Sequence, residues 1–253
     1  MFRLKGLLRY LSNVINLKFL KNLKYLKIYR KNKREWLNKG GKITRELLAL
    51  TDFADPAGKA SGHYFHQDLL VAQFIYKRKP VRHVDVGSRI EGFVTHVASF
   101  REIEVLDIRP LKKSIHQNII FKKANFMKNQ DIGLTDSLSC LHAIEHFGLG
   151  RYHDPIDIDG HIRGIENLVK LIKKDGYLYI SFPIGKDDEV HFNAHRVFHP
   201  KTILELNIIK QNMRLIRYDY VDDQGELFLN SDVESSIGSV SFGCGIYTFK
   251  KIL

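Results

Sequence analysis

Arg82-His-Val-Asp-Val-Gly-Ser-Arg-Ile-Glu-Gly92, followed by Ile103-Glu-Val-Leu-Asp-Ile-Arg-Pro110, reads as a buried strand, a glycine turn, a crossover and a second strand ending in an acid. From Gly87 to Asp107 is 20 residues, the spacing at which a doubly wound sheet presents a carboxylate to a ribose. Asp85 and Gly87 suit a tight turn that brings backbone close to a ligand, and Asp107 can accept both hydroxyls of a nucleoside. A dinucleotide site would carry Gly-x-Gly-x-x-Gly; here Gly87 and Gly92 flank Arg89, a long cation where the middle glycine belongs. That glycine lets a helix start approach a pyrophosphate, so Arg89 argues against NAD and FAD. S-adenosylmethionine has a ribose and no pyrophosphate, and it is the cofactor this pattern fits. A strand, turn and helix with no ligand is the plain alternative.

Outward from this unit, strands and helices alternate. Strands are expected at His83 to Val86, Glu104 to Ile108, within Ile119 to Asn125, at Ser137 to Leu141 and at Tyr177 to Phe182, the last closed by Pro183. Two later strands fall near Arg214 to Val221 and Gly245 to Lys250. Helices are expected at residues 43–53 and 66–78, the latter capped by Gln67 and Asp68, and at Gly92 to Ser99, Lys113 to Asn118 and Lys201 to Asn207. A further helix at Ile162 to Lys174 should stop at Asp175-Gly176. Such alternation implies an α/β fold with a sheet parallel through its first five strands, and ligands at the strands' carboxyl ends.

With 253 residues, 44% hydrophobic and 27% charged, the chain can bury the core of one large domain with an appendage. The division expected is a leader, residues 1–42, and a domain, residues 43–253. No apolar run reaches the roughly 18 residues that span a bilayer, and no cleavable signal is evident, so a cytoplasmic protein is expected. Cys140 and Cys244 fit no metal or redox spacing and read as small core residues in a reducing compartment.

The net charge of +12 resides entirely in the leader, where 13 Lys or Arg meet the single acid Glu35. Leu4, Leu7, Leu8 and Leu11 recur at helical spacing, then Leu17, Leu20, Leu23 and Leu26 alternate with Lys18, Lys21, Lys24 and Lys27. This basic amphipathic helix, residues 1–35 above all, suits docking on the anionic inner face of a membrane. Packing on a partner protein or on the chain's own domain is the alternative. Nucleic acid is disfavoured, because Leu rather than base-stacking aromatics is interleaved with the charge.

The stretches Ser61-Gly-His-Tyr-Phe-His-Gln-Asp-Leu-Leu-Val-Ala, His83-Val-Asp-Val-Gly-Ser-Arg, Leu141-His-Ala-Ile-Glu-His-Phe-Gly-Leu-Gly-Arg-Tyr and Phe192-Asn-Ala-His-Arg-Val resemble a family of unknown function known from nematodes and bacteria. That family is related to class I S-adenosylmethionine-dependent methyltransferases, and the resemblance covers roughly residues 55–250. It implies a Rossmann-like doubly wound sheet, mostly parallel with a late antiparallel strand. It also implies that Asp85, Gly87 and Ser88 touch the cofactor's methionine part, that Asp107 with Ile108 meets the ribose, and that Asn125 meets the adenine. Arg89 departs from the superfamily's second glycine and could pair with the cofactor's carboxylate. Bacterial relatives are associated with surface-polysaccharide synthesis, which implies a sugar or glycolipid-precursor hydroxyl as acceptor.

Chemistry concentrates in Leu141-His142-Ala143-Ile144-Glu145-His146. A hydroxyl becomes a good nucleophile as its proton leaves, and His146 is the first choice of base, with Glu145 assisting it. The stretch also resembles the Glu-x-x-Glu-His of ubiquinone-pathway and small-RNA O-methyltransferases, which hold a divalent ion. His142, Glu145 and His146 are therefore candidate ligands for a cation such as magnesium, and loop-orienting hydrogen bonds are their plain alternative. His-x-x-Glu-His matches an inverted zinc-protease motif too, but a strand before it and Gly148 and Gly150 after it deny the required helix. His195 and Arg196, in a stretch from 190 to 199 read as a loop, are assigned to the acceptor side. Arg151, Tyr152 and Asp154 could form a lid over it. Two other readings fit the same residues: a methyltransferase-like binding module without catalysis, and a nucleotide-sugar or NAD enzyme.

Overall fold

The computed structural model describes residues 22–253, and the chain divides into two compact units, residues 1–59 and 60–253. In the first unit, helix α1 (Leu26–Asn38) buries none of its residues, and Ile28, Trp36 and Leu37 are exposed. Tyr29 and Lys33 on α1 both bond Glu46. Residues 43–53, expected as a helix, form none. Leu50 is buried but Ile43, Leu47 and Leu48 stay exposed, so most of the apolar stripe covers no surface, and a short helix with little packing is marginal in water. Most of the expected amphipathic leader, residues 1–21, lies outside the described residues.

The second unit is built on an eight-stranded sheet. Its strands are β1 (His83–Val86), β2 (Ile103–Asp107), β3 (Ile119–Lys123), β4 (Thr135–Leu141), β5 (Ile172–Ile184), β8 (Met213–Val221), β9 (Leu227–Phe228) and β10 (Gly243–Lys251). Their order is β3-β2-β1-β4-β5-β10-β8-β9, parallel from β3 to β5, with β10 antiparallel between β5 and β8. The strand order reverses at β1, whose neighbours are β2 and β4. A crevice opens beyond the carboxyl ends at such a reversal. A separate hairpin pairs β6 (Glu189–His191) with β7 (His195–Val197), where a loop was expected.

Helices cover both faces. Against one pack α2 (His63–Arg78) and a turn of π-helix, Ile90–Val94, running into α3 (Thr95–Ala98); Val71, Ile75, Phe93 and Val97 meet Ile103, Val105 and Ile246 there. Against the other pack α4 (Gly160–Lys170), α5 (Thr202–Glu205) and α6 (Asn207–Asn212), whose Ile165, Leu168, Ile203 and Ile209 meet Val84, Leu138 and Ile180. Because side chains alternate along a strand, the partners of Val84 and Leu138 on the opposite face are polar. His83, Asp85, Ser137 and Ser139 form a buried seam under α2 and α3.

Several expected boundaries shift, each for a local reason. Gln67 and Asp68 do not cap α2: Gly62 precedes its first residue, and both polar side chains are buried in the second turn, where Gln67 accepts a bond from Ser181. Residues 113–118 form no helix; Ile115 is fully out in solvent, so nothing rewards one. α4 ends at Lys170, and Asp175-Gly176 is a turn within β5, with Asp175 at φ +65° and Gly176 against the Asp136 carbonyl. Pro183 does not close β5, because it lies beside Cys244 of an antiparallel neighbour and needs no N–H there.

Candidate active site

A cleft opens where the sheet reverses, at the carboxyl ends of β1, β2 and β4. Gly87, Asp107, Ile108, Asn125, His142 and His146 all line it, with Arg109, Phe126, Met127, Ala143 and Tyr152. Gly87 leaves β1 at φ +74°, and a Cβ on it would stand 2.8 Å from the Cβ of Ala143. Only glycine fits that wall.

Three residues expected to touch a cofactor lie elsewhere. Asp85 is fully buried beneath the turn: its Oδ1 accepts from Ser88 Oγ at 2.6 Å and Ser139 Oγ at 2.6 Å, and its Oδ2 from the Ser88 amide at 3.1 Å. Ser88, also buried, in turn accepts from the Leu141 amide at 3.1 Å. The pair ties β1 to β4 and fixes the shape of the Gly87 turn. Burial pushes the Asp85 carboxyl up to about 7 against these hydrogen bonds. Arg89 stacks its guanidinium over the Tyr64 ring, 4.5 Å from the centroid, and is not among the side chains lining the cleft.

Asp107 is clasped. Arg109 Nε lies 3.0 Å from its Oδ1 and Arg109 Nη2 lies 2.5 Å from its Oδ2, while the Arg109 amide adds a bond of 2.8 Å to Oδ1. The same guanidinium sits 4.4 Å above the Tyr152 ring. Nothing in the spacing that identified Asp107 announced Arg109; its position two residues on, past the strand end, was the only signal. Asn125 turns its Oδ1 to the Met127 amide at 3.0 Å, holding the loop after β3 in place.

After β4 the chain makes a turn of 3-10 helix, Ile144–His146, which confirms that His142, Glu145 and His146 do not share an α-helical face. His146 faces the cleft. Its Nδ1 donates to the Ala194 carbonyl at 2.8 Å, which leaves Nε2 as the proton-accepting nitrogen, 3.6 Å from Glu145 Oε1. Burial holds this imidazole below its ordinary range, against the pull of Glu145. Glu145 itself is buried and does not line the cleft. Its Oε1 pairs with His142 Nδ1 at 3.0 Å, so it orients histidines and cannot reach an acceptor. Burial works against its charge, but the bond and charge of His142 prevail and hold the carboxyl low.

His142, Glu145 and His146 do not form a site for a hard cation such as magnesium. Glu145 Oε1 is engaged by His142 Nδ1 while its Oε2 has no partner, and two nitrogens with one carboxylate are a poor match for an ion that prefers an oxygen shell. His195, on β7, packs between His191 and Phe242 at ring distances of 5.0 and 5.3 Å and does not line the cleft. Arg196 is buried and gives hydrogen bonds to the carbonyls of Glu145, Phe147 and Ile158. Asp154 accepts the amides of Gly148, Gly150 and Tyr152, so it shapes the loop; Arg151 donates to the Ala194 carbonyl at 2.5 Å and does not line the cleft, which Tyr152 does.

A family model described as "Caenorhabditis protein of unknown function, DUF268" matches residues 96–223, just over half of the chain. The chain belongs to the DUF268 family. No curated protein matches it significantly. Among solved structures, this DUF268 chain is similar to the N-methyltransferase NodS from Bradyrhizobium japonicum in complex with S-adenosyl-L-homocysteine, at 12% identity and TM-score 0.51, over 75% of this chain and 88% of that one. It is similar also to an O-methyltransferase from a multienzyme of Brevibacillus brevis, with the same product bound, at 12% identity and TM-score 0.53, over 74% and 72% of the two chains. The [4+2]-cyclase SpnF is matched at 13% identity and TM-score 0.53, over 74% and 82%. These likenesses establish the Rossmann-like methyltransferase fold, and SpnF shows that the fold also carries other chemistry.

Proposed function

We propose that this protein is an S-adenosylmethionine-dependent methyltransferase acting on a hydroxyl oxygen, with a sugar of a surface-polysaccharide or glycolipid precursor as acceptor. The observation that carries the reading is one cleft holding a glycine-only wall at Gly87, a carboxylate at Asp107 and the free nitrogen of His146. The residues fit the cofactor: Gly87 would admit the methionine part, Asp107 would exchange Arg109 for the ribose diol, and Ile108, Asn125 and Met127 would hold the adenine. When bound, the cofactor supplies an electrophilic methyl group.

The chain's own part is acid–base and positional. The Ala194 carbonyl fixes the His146 tautomer, and His146 Nε2 takes the acceptor's proton as the oxygen becomes nucleophilic. The imidazolium so formed faces Glu145 Oε1 at 3.6 Å, which stabilises it without touching substrate. Further along the same loop, a groove lined by Leu149, Ile156, Ile158, Val190 and Phe192 has walls suited to the lipid part of a precursor.

Calorimetry with S-adenosylhomocysteine and turnover with labelled cofactor on a panel of sugar precursors test this reading. Binding with turnover is expected, and His146→Ala should lower turnover roughly 100-fold or more while leaving cofactor affinity within a few-fold. Cofactor binding without turnover on any hydroxyl acceptor would favour a binding module instead.

Among the described residues no helix is long and apolar enough to cross a membrane. We further propose that the cytoplasmic protein docks on anionic membranes through its leader, a reading supported by the exposed Ile28, Trp36 and Leu37 of α1. Sedimentation with anionic vesicles should fall severalfold when Lys18, Lys21, Lys24 and Lys27 are replaced by Gln, and unchanged sedimentation would refute the docking.

A further inference from the structure

Three side chains remote in sequence meet beside the cleft. His63 opens α2, His142 follows β4 and Cys244 is the second residue of β10; one donor atom from each lies within 4.8 Å of the others. We propose that His63, His142 and Cys244 bind a zinc-class transition-metal ion beside the cleft.

Four observations point the same way. The Nε2 of His142 is buried and has no hydrogen-bond partner, an arrangement folded proteins avoid unless the atom serves something else. Its other nitrogen is held by Glu145 Oε1 at 3.0 Å, the carboxylate–histidine pairing that fixes a ligating imidazole with its free nitrogen toward a metal. His142 sits at φ +48°, a backbone region unfavourable for a residue with a side chain and kept where the side chain must be aimed. The His63 ring is clamped between His142 and Phe242, at centroid distances of 5.4 and 5.7 Å, which limits its freedom before any ligand arrives.

Cys244 is fully buried, and its sulfur has only weak contacts, 3.7 Å from Gln67 Oε1 and 3.8 Å from the Gly245 carbonyl. On binding, the thiol and the His142 imidazolium each give a proton to solvent, leaving a thiolate and a neutral imidazole as ligands. Two neutral imidazoles and one thiolate leave a divalent ion one positive charge, which the Glu145 carboxylate behind His142 balances. Nitrogen and sulfur donors select zinc, cobalt or copper over magnesium and calcium. Closing around zinc needs the widest pair of donors to approach by roughly 1 Å, given metal–ligand bonds of about 2.0–2.3 Å. Three protein ligands leave a fourth position open, as in catalytic zinc sites. Of the three, His142 also lines the cleft, so an acceptor seated there would meet an imidazole held by the ion. Only this last role rests on the methyl-transfer reading; the ion site stands on its own geometry.

The test uses the full chain, stripped by chelator and free of any histidine tag. After incubation with zinc and gel filtration, elemental analysis should give one ion per chain, and cobalt(II) should give the intense near-ultraviolet band of thiolate-to-metal charge transfer. Cys244→Ser should abolish that band, His63→Ala should weaken binding by at least 100-fold, and Glu145→Gln by about 10- to 100-fold. His63→Ala, at the start of a helix, keeps the test informative if the buried Cys244→Ser variant misfolds. No retained zinc, a cobalt spectrum without the thiolate band, or retention undiminished in His63→Ala would each overturn the site. Because these readouts need neither cofactor nor acceptor, a failed turnover assay would leave them intact.

Discussion

Gly87 carries a constraint that the 20-residue spacing to Asp107 had implied. Its φ of +74° and the 2.8 Å approach to Ala143 predict that Gly87→Ala lowers stability by about 1–2 kcal/mol, or more once the clash is included. It should also weaken S-adenosylhomocysteine binding at least tenfold; a variant with native affinity by calorimetry would remove Gly87 from the wall. The glycine and the acid were legible because each follows a strand, and short-range order fixes both. Arg109 on Asp107 was not legible, since nothing in a two-residue interval says that a side chain will fold back on its neighbour. Cys244 was read as a plain core residue. Its burial bears that out, but the company of His63 and His142 depends on β10 crossing the sheet, which no interval in the sequence encodes.

Among elements, the loop after β4 and the hairpin of β6 and β7 are joined by Arg196, whose guanidinium binds three loop carbonyls. Arg196→Ala should cost roughly 3 kcal/mol, since charge-assisted bonds are lost and buried acceptors are left bare. Faster amide exchange should follow across residues 144–160, and unchanged protection there would show that the hairpin does not hold the loop. Strands β1, β2, β3, β4, β5, β8 and β10 could be placed from short runs rich in apolar and β-branched residues bounded by turn signals. Helix boundaries were poorer guides. Asp175-Gly176 has the composition of a helix stop yet forms a turn inside β5, and residues 43–53 have a helical apolar pattern of which Leu50 is buried while Ile43, Leu47 and Leu48 are not. In both places packing, which the local pattern does not contain, made the choice.

For the whole molecule, the polar seam under α2 and α3 brings two opposed contributions to how stability depends on pH. Burial pushes Asp85 up to about 7 and His83 down to about 3. Between about 4 and 7 the folded state keeps a proton on Asp85 that the unfolded chain releases, so rising pH weakens the fold. Between about 3 and 6.5 the unfolded chain binds a proton that folded His83 refuses, so rising pH strengthens it. Each contribution is on the order of 4 kcal/mol when complete, and the two oppose one another. From this pair alone the pH dependence should nearly cancel between pH 4.5 and 6.5, while His63 and His161, each pushed by burial to about 4, add stability as pH rises. Asp85→Asn should gain stability more steeply than the wild-type protein as pH rises through that range. Urea denaturation at several pH values checks this, and parallel profiles for the two proteins would refute it.

The antiparallel course of β10 has a practical corollary. Gly243 lies beside Ile184 at the cleft end of β5, whereas Lys250 lies beside Tyr177 at the far end. A biosensor tether attached beyond Lys251 would thus emerge on the side of the sheet away from the cleft, so immobilised protein should present its ligand entrance to the flowing solution.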